Sequence, residues 1–300
     1  MRTRALRTTF ISLLAASAMT ALVPAVASAA PTAIAGDPTD CRTQFGGDTV
    51  AVRPGQRIES GASLADKVSP TVLVMQADGN LVLYAIGNSG GYKLPLWSSG
   101  TYGNPGAYAL MQEDGNFVVY KKDGGPDKGG ALWATGTYGD AASPYLGAYL
   151  VGGEFSVEGR SYYPTWRTRT REQHAKICAS LPDRPQGSWW PRSWAESATV
   201  WMVLQEDGNL VMYRKRDGKA IWSSGTYGLR YSATLEMDPK GDLILREGDQ
   251  ASTVRWHSGT DGNPDAYALL QDDGNFVVYK KDGGPGKGGA LWATGTYNKI

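Results

Sequence analysis

Val72-Leu73-Val74-Met75-Gln76-Ala77-Asp78-Gly79-Asn80-Leu81-Val82-Leu83-Tyr84 is the stretch that decides the fold. Two β-rich runs flank an x-Asp-Gly tripeptide, which predicts a hairpin with a three-residue loop and Gly79 in the left-handed position. That register sets Gln76 opposite Asn80, Val74 opposite Val82 and Val72 opposite Tyr84 on one face. Because side chains alternate along a strand, Met75 with Leu81 and Leu73 with Leu83 take the other face, which is wholly apolar. Good turn chemistry accounts for Asp78, Gly79 and Asn80. It does not account for an amide at Gln76 and a phenol at Tyr84.

The phrase Gln-x-Asp-x-Asn-x-Val-x-Tyr occurs four times: Gln76, Asp78, Asn80, Val82, Tyr84; Gln112, Asp114, Asn116, Val118, Tyr120; Gln205, Asp207, Asn209, Val211, Tyr213; and Gln271, Asp273, Asn275, Val277, Tyr279. Four of its five fixed residues are hydrogen-bonding groups, which suits a copied binding site better than a core. A second phrase follows each copy, as in Leu96-Trp97-Ser98-Ser99-Gly100-Thr101-Tyr102, with fainter echoes at Trp166 and Trp256. Hairpin plus tryptophan gives six units, spaced by 33 to 38 residues within each half of the chain. Such self-similarity marks a repeat architecture, and tryptophans at matching positions are expected to meet in a shared core. Residues 104–139 and 263–298 are near-duplicates, differing at 5 of 36 positions.

In unit three the motif positions fall on Leu150, Gly152, Glu154, Ser156 and Glu158, and in unit five on Asp238, Lys240, Asp242, Ile244 and Arg246. Neither set can present the same hydrogen-bonding groups, so both units read as structural. The six units divide into two domains, 47–167 and 187–300, each large enough for its own core. Between them, 168–186 reads as a linker, with one short helix over Arg171 to Ala179.

Residues 1–29 carry the marks of a signal peptide: Arg2, Arg4 and Arg7, an apolar run from Phe10 to Val23, and Ala27-Ser28-Ala29 as cleavage site. The run is too short for a membrane span, and the mature chain is expected to be secreted, without membrane insertion. Cleavage removes three arginines and no acid, moving the formal charge from +1 to −2. A near-neutral chain without a basic patch argues against nucleic acid as a partner. Two cysteines in an exported protein favour a disulfide over a metal or catalytic thiol. Cys41 precedes the first domain and Cys178 follows it, so a bond would join that domain's ends; two free thiols are the alternative.

Only two histidines are present, His174 and His257, in unrelated contexts, and no nucleophile, base and acid fall into a set. The repeated aspartates lack a repeated carboxylate partner of the kind a glycosidase needs. The motif also lacks the spaced oxygens of a calcium loop. No enzyme, cofactor or metal site is expected. Amides, a carboxylate and a phenol around a valine match a polyol ring, with its hydroxyl edges and exposed C–H groups.

The motif, three repeats per domain and one tryptophan per repeat resemble the bulb-type mannose-binding lectins of monocot plants. The resemblance implies an all-β chain of two tandem β-prism II domains, each with three four-stranded antiparallel sheets about a pseudo-threefold axis. It implies that Asp and Asn of each intact motif bond the axial 2-hydroxyl of mannose, Gln the 3-hydroxyl and Tyr the 4-hydroxyl, while Val packs on the ring carbons. Those roles fall on the four sets quoted above and on no residue of units three and five. The expected partners are mannose-containing or similar glycans. The resemblance also leaves open a homodimer and the crossing of the strand from Leu291 to Thr296 into a neighbouring prism. The tandem arrangement is similar to that of lectin-like bacteriocins as well, which makes a toxin against related bacteria the alternative function.

Overall fold

The computed structural model describes residues 50–87, 93–139, 145–159, 164–179, 188–229, 232–248 and 253–300. The signal peptide and Cys41 lie outside the described residues. Every element among the described residues is a β-strand.

The first hairpin forms in the expected register, with Val72 opposite Tyr84, Val74 opposite Val82 and Met75 opposite Leu81. Gln76 and Asn80 close the three-residue loop through the Gln76 N–H, which donates to the Asn80 carbonyl at 2.9 Å. Gly79 has φ 93°. A Cβ there would also lie 2.2 Å from the Asn104 carbonyl oxygen, so glycine is required both for the turn and for the close approach of the next unit. Leu73, Met75, Leu81 and Leu83 are fully buried, as the alternation demands.

Each unit contributes three antiparallel strands to its own sheet, and short lead-in segments supply the fourth. Unit one pairs Thr71–Met75, Leu81–Ile86 and Lys93–Ser98; unit two Tyr108–Met111, Phe117–Gly125 and Gly129–Ala134; unit three Gly147–Val151, Glu154–Glu158 and Pro164–Arg167. The chain enters along Val50–Val52, Arg57–Ile58 and Ser63–Ala65, which edge the sheets of units three, two and one in turn. The second half repeats this logic. Lys176–Cys178 edges unit six, Trp189 bridges Leu235 of unit five, and Trp194–Glu196 edges unit four. Unit five therefore keeps a three-stranded sheet with two added bridges, Trp189 to Leu235 and Ala179 to Met237, instead of four full strands. The result is two β-prism II domains. The strand Gly288–Ala293 stays in the sheet of its own unit.

One tryptophan from each sheet reaches its prism's axis. Trp97, Trp133 and Trp166 meet edge-to-face with ring centroids 5.3 to 5.6 Å apart, and Trp222, Trp256 and Trp292 do so at 5.2 to 5.9 Å. Each such pair contributes roughly 0.5–1.5 kcal/mol beyond its area burial, so the triads help fix the relative rotation of the three sheets.

Four expectations need correction. The segment from Arg171 to Ala179 forms no helix: Lys176–Cys178 is a strand paired with the strand holding Tyr267 and Leu269. The second prism therefore begins inside the stretch 168–186 that reads as linker. Cys178, placed on that strand, belongs to the second prism rather than to the end of the first. In unit three the motif frame slips by one on the first strand. Val151, not Leu150, stands opposite Glu154, because the turn is the two-residue Gly152-Gly153 with φ 58° and 76°. Leu150 faces the core opposite Phe155.

The prisms are docked. Ala85 and Leu94 of unit one bury against Trp194, Trp201 and Val203 of unit four. The Trp194 indole N–H donates to the Thr170 carbonyl at 2.5 Å, and the Gln173 N–H to the Trp194 carbonyl at 2.7 Å. Beside this seam Lys215 and Glu196 form a buried ion pair at 2.8 Å, while Oε2 of the buried Glu172 has no hydrogen-bond partner among the described residues. Burial pushes the Glu172 carboxyl up to about 8, and the neighbouring Glu196 and Asp66 charges add to the shift against the pull of Ser69 and Lys215.

A carboxyl raised from its ordinary 4.5 to about 8 binds its proton more tightly folded than unfolded. Its cost to stability is absent below the lower value, grows with pH and is complete above the upper one. Glu172→Gln should therefore raise the melting temperature above pH 8, by about 2–4 °C per kcal/mol relieved, and the gain should vanish toward pH 4.5. Thermal denaturation across that range checks it; a gain that does not vary with pH would remove Glu172 from the titration.

Candidate functional site

On the polar face of unit one the motif side chains orient one another. The Gln76 amide donates through Nε2 to the Tyr84 hydroxyl oxygen at 2.8 Å. That bond leaves Gln76 its Oε1 as an acceptor and sets the position of the Tyr84 hydroxyl. Asp78 accepts the Asn80 N–H through Oδ1 at 3.0 Å, an Asx turn that leaves Oδ2 facing outward on an exposed side chain. Asn80 turns its Oδ1 inward, where the Ser99 hydroxyl (3.2 Å) and the Thr101 N–H (3.0 Å) donate to it. Its Nδ2 donors are directed away from that loop. Val82, nearly buried, forms the floor. Amide, carboxylate and hydroxyl groups thus surround an apolar patch.

The same arrangement recurs in units two, four and six. Gln205 reaches Tyr213 at 2.6 Å and Gln271 reaches Tyr279 at 2.9 Å, and the Gln112 side chain hydrogen-bonds Tyr120. Burial, then the neighbouring Tyr108 and Asp114, push the Tyr120 phenol up, so it stays protonated and able to donate. Asn116, Asn209 and Asn275 each hold the following tryptophan loop through Oδ1, accepting from Thr135, Ser224 and Thr294 at 3.0 to 3.1 Å. Val118, Val211 and Val277 are buried like Val82.

The sites differ in their walls, and the sequence reading missed these residues. Opposite Tyr120 stands Tyr108, stacked at 5.9 Å, with its hydroxyl donating to the Gly124 carbonyl at 2.9 Å. Tyr267 and Tyr279 repeat this at 5.8 Å, with Tyr267 bonded to the Gly283 carbonyl at 2.8 Å. The Arg57 guanidinium lies 5.1 Å from the Tyr108 ring and the Lys176 amine 4.4 Å from the Tyr267 ring. The glycine-rich hairpin after each of these two motifs is therefore a structural extension of the sheet. The signal was its near-verbatim recurrence in units two and six and its absence from one and four. In unit four the residue opposite Tyr213 is the buried Trp201, so this site abuts the first prism.

Units three and five fill the equivalent space with charge. Arg246, at the tyrosine position, pairs with Glu236 at 3.0 Å. Asp242, at the asparagine position, accepts the Ser258 hydroxyl and the Thr260 N–H through Oδ1 at 2.8 and 3.0 Å, and meets His257 Nδ1 at 2.8 Å. Burial opposes its ionisation, but bonds from Thr260, Ser258 and His257 outweigh that and hold the carboxyl low. In unit three Glu154 is buried, and its pairing with Arg171 at 3.5 Å replaces the amide. Among the described residues no cluster of three His, Cys, Asp or Glu side chains is disposed to hold a metal.

No family model matches the chain. A mannose-specific lectin of Aloe arborescens is 33% identical over 96 residues, which cover 31% of this chain and 77% of that protein. This chain belongs to the bulb-type mannose-specific lectin family. Mannose-specific lectin 2 of Colocasia esculenta is 36% identical over 100 residues, and there the match spans only a third of either protein. Among solved structures, a monomeric monocot mannose-binding lectin from Gastrodia elata is 28% identical, with 40% of this chain and 96% of that one covered at a TM-score of 0.32. A two-domain fetuin-binding lectin from Scilla campanulata covers 80% of this chain and 94% of its own at 23% identity and a TM-score of 0.31. Those scores are low, and the fold of this bulb-type family member rests on its own sheet topology. Membership places it among lectins rather than enzymes.

The inward-turned Oδ1 gives each motif asparagine a structural duty. Asn116→Ala should remove the acceptor of the Gly136 and Thr137 N–H groups and destabilise the first prism by about 1–3 kcal/mol. Asn116→Asp keeps the acceptor, as Asp242 already does in unit five, and should cost markedly less. Denaturant unfolding of the two variants checks the order; equal costs would refute it.

Proposed function

We propose that the protein is a secreted, multivalent lectin that binds mannose or mannose-like glycans at units one, two, four and six without a metal ion. The observation that carries this is the recurrence in all four units of the glutamine-to-tyrosine hydrogen bond. It holds the two side chains in one arrangement, which supports reading the motif as a repeated ligand site. A sugar hydroxyl both donates and accepts. Tyr O–H and Asn Nδ2 supply donors, Gln Oε1 and Asp Oδ2 supply acceptors, and the valine floor suits ring C–H groups. The mannose specificity in the names of its relatives fits this set. Repeating a shallow site four times suits avidity, since linked weak events multiply through effective concentration.

Calorimetric titration with methyl mannoside in the presence of chelator should show binding at up to four sites. Asn→Asp at position 80, 116, 209 or 275 should each remove one site, because the carboxylate keeps the loop bond but loses the outward N–H donors. Attachment to a mannan-coated surface should fall more steeply than stoichiometry as sites are removed. Strict calcium dependence, or silence toward every mannose-containing glycan, would overturn the proposal.

Secretion would follow from the signal-like residues 1–29, and an oxidising compartment favours a Cys41–Cys178 disulfide. Among the described residues no cysteine is free. Because Cys178 sits on the second prism, such a bond would fasten the N-terminal segment to that prism and brace the pair. Mass spectrometry of non-reduced peptides from secreted material should recover the cross-link; recovery of both thiols alkylated would remove it.

A further inference from the structure

Unit three has lost the sugar motif, yet its rim has gained arginines. Arg167 stands where units one, two, four and six carry Ser98, Ala134, Ser223 and Ala293. Arg171 stands where those units carry Tyr102, Tyr138, Tyr227 and Tyr297. Arg169 replaces the glycine of every other unit and keeps that glycine's backbone, with φ 61° against 65° to 73° for Gly100, Gly136, Gly225, Gly259 and Gly295. A left-handed arginine is strained where glycine is not. Across the seam from the second prism come Trp190, 51% exposed, and Arg192, also left-handed at φ 75°. Two of the three left-handed non-glycine residues among those described therefore border one space. That space is a cavity of about 310 Å³ lined by all four arginines, Glu154 and Trp190.

Two of the four arginines have carboxylate partners among the described residues. Glu154 pairs with Arg171 at 3.5 Å, and Glu206 with Arg192 at 2.8 Å. Arg192 also reaches the Thr168 carbonyl at 3.0 Å, which holds its fork in place. Arg167 and Arg169 are exposed, and neither side chain donates a hydrogen bond among the described residues. Among the described residues Arg167 and Arg169 form no ion pair, and these two cations border an exposed indole face.

We propose that this inter-prism cavity is a fifth carbohydrate site, distinct in chemistry from the other four, which takes a sugar bearing an oxyanion: a uronate, sulfate ester or phosphate ester. Planar guanidinium forks match carboxylate, sulfate and phosphate oxygens bidentately, and the Trp190 face offers a platform for the ring. The volume lies at the low end of small-ligand pockets, about 300–1,000 Å³, which suits one or two sugar residues. Arg167 and Arg169 would grip the anion, while Glu154 keeps Arg171 aligned at the back. This assignment stands apart from mannose recognition, since none of its residues belongs to an intact motif.

Calorimetric titration of the full chain with methyl glucuronide, glucose 6-sulfate and glucose 6-phosphate, against methyl glucoside and inorganic sulfate, tests it and separates the sources of the anion. At least one acid sugar should bind ten-fold or more tighter than the neutral glucoside and than sulfate alone, and binding should weaken with salt. The double variant Arg167→Ser, Arg169→Gly restores the residues of unit one, so its melting temperature should equal or exceed that of the unaltered protein. Its acid-sugar affinity should fall at least ten-fold, with methyl mannoside titration unchanged. Trp190→Ala, on an exposed side chain, should weaken the sugar acids but not inorganic sulfate. Equal binding of the neutral glucoside, sulfate binding as tight as any sugar acid, or a double variant that binds as before would each overturn the site.

Discussion

Six buried threonine hydroxyls hold six hairpin turns, and the rest of each prism is arranged around that contact. Thr101, Thr137, Thr170, Thr226, Thr260 and Thr296 donate to the carbonyls of Gly79, Gly115, Gly153, Gly208, Gly241 and Gly274 at 2.5 to 2.7 Å. The bond joins the loop after each tryptophan to the turn of its own hairpin. It thereby fixes where the indole enters the core and where the polar face of the hairpin ends. A buried carbonyl without such a partner is costly, which is reason enough for the threonine to persist in units that have lost everything else of the motif. The asparagine, or the acid in its place, works beside it as the acceptor for the same loop.

That shared clamp explains how the frame tolerates the loss of function in two units. Asp242 and Glu154 keep an inward oxygen for the loop and give up the outward amide. Architecture depends on the acceptor, whereas ligand chemistry depends on the donor attached to the same side chain. The two requirements are separable by one atom. Units three and five have followed that separation in different directions, one toward internal ion pairs and the other toward an arginine-lined rim.

Docking of the prisms adds a second level of organisation. Trp201 takes the place that Tyr108 and Tyr267 hold in their units, but it is buried against the first prism. One intact motif therefore lies next to the seam, while those of units two and six carry tyrosine walls and glycine-rich hairpins of their own. The seam also encloses Glu172 and the Lys215–Glu196 pair, groups whose energetics depend on water being excluded between the domains.

The sequence by itself determined the hairpin register, the apolar face, the tryptophan cores, the six units and the motif residues, because each follows from local alternation repeated many times. It misread what is short or distant. Lys176–Cys178 and the Trp189 bridge are too brief to show a period of two, so a lead-in across three sheets reads as linker and helix. The slipped frame of unit three turns on a single residue of loop length, Gly152-Gly153 in place of x-Asp-Gly. Nothing local tells that Asn80 faces its Oδ1 inward, since its partners at Ser99 and Thr101 lie about twenty residues on. Only the tertiary structure brings Arg167 and Arg169 of one prism beside Trp190 and Arg192 of the other. Charge collects there because two domains close over it, and no pattern along either strand encodes that closure.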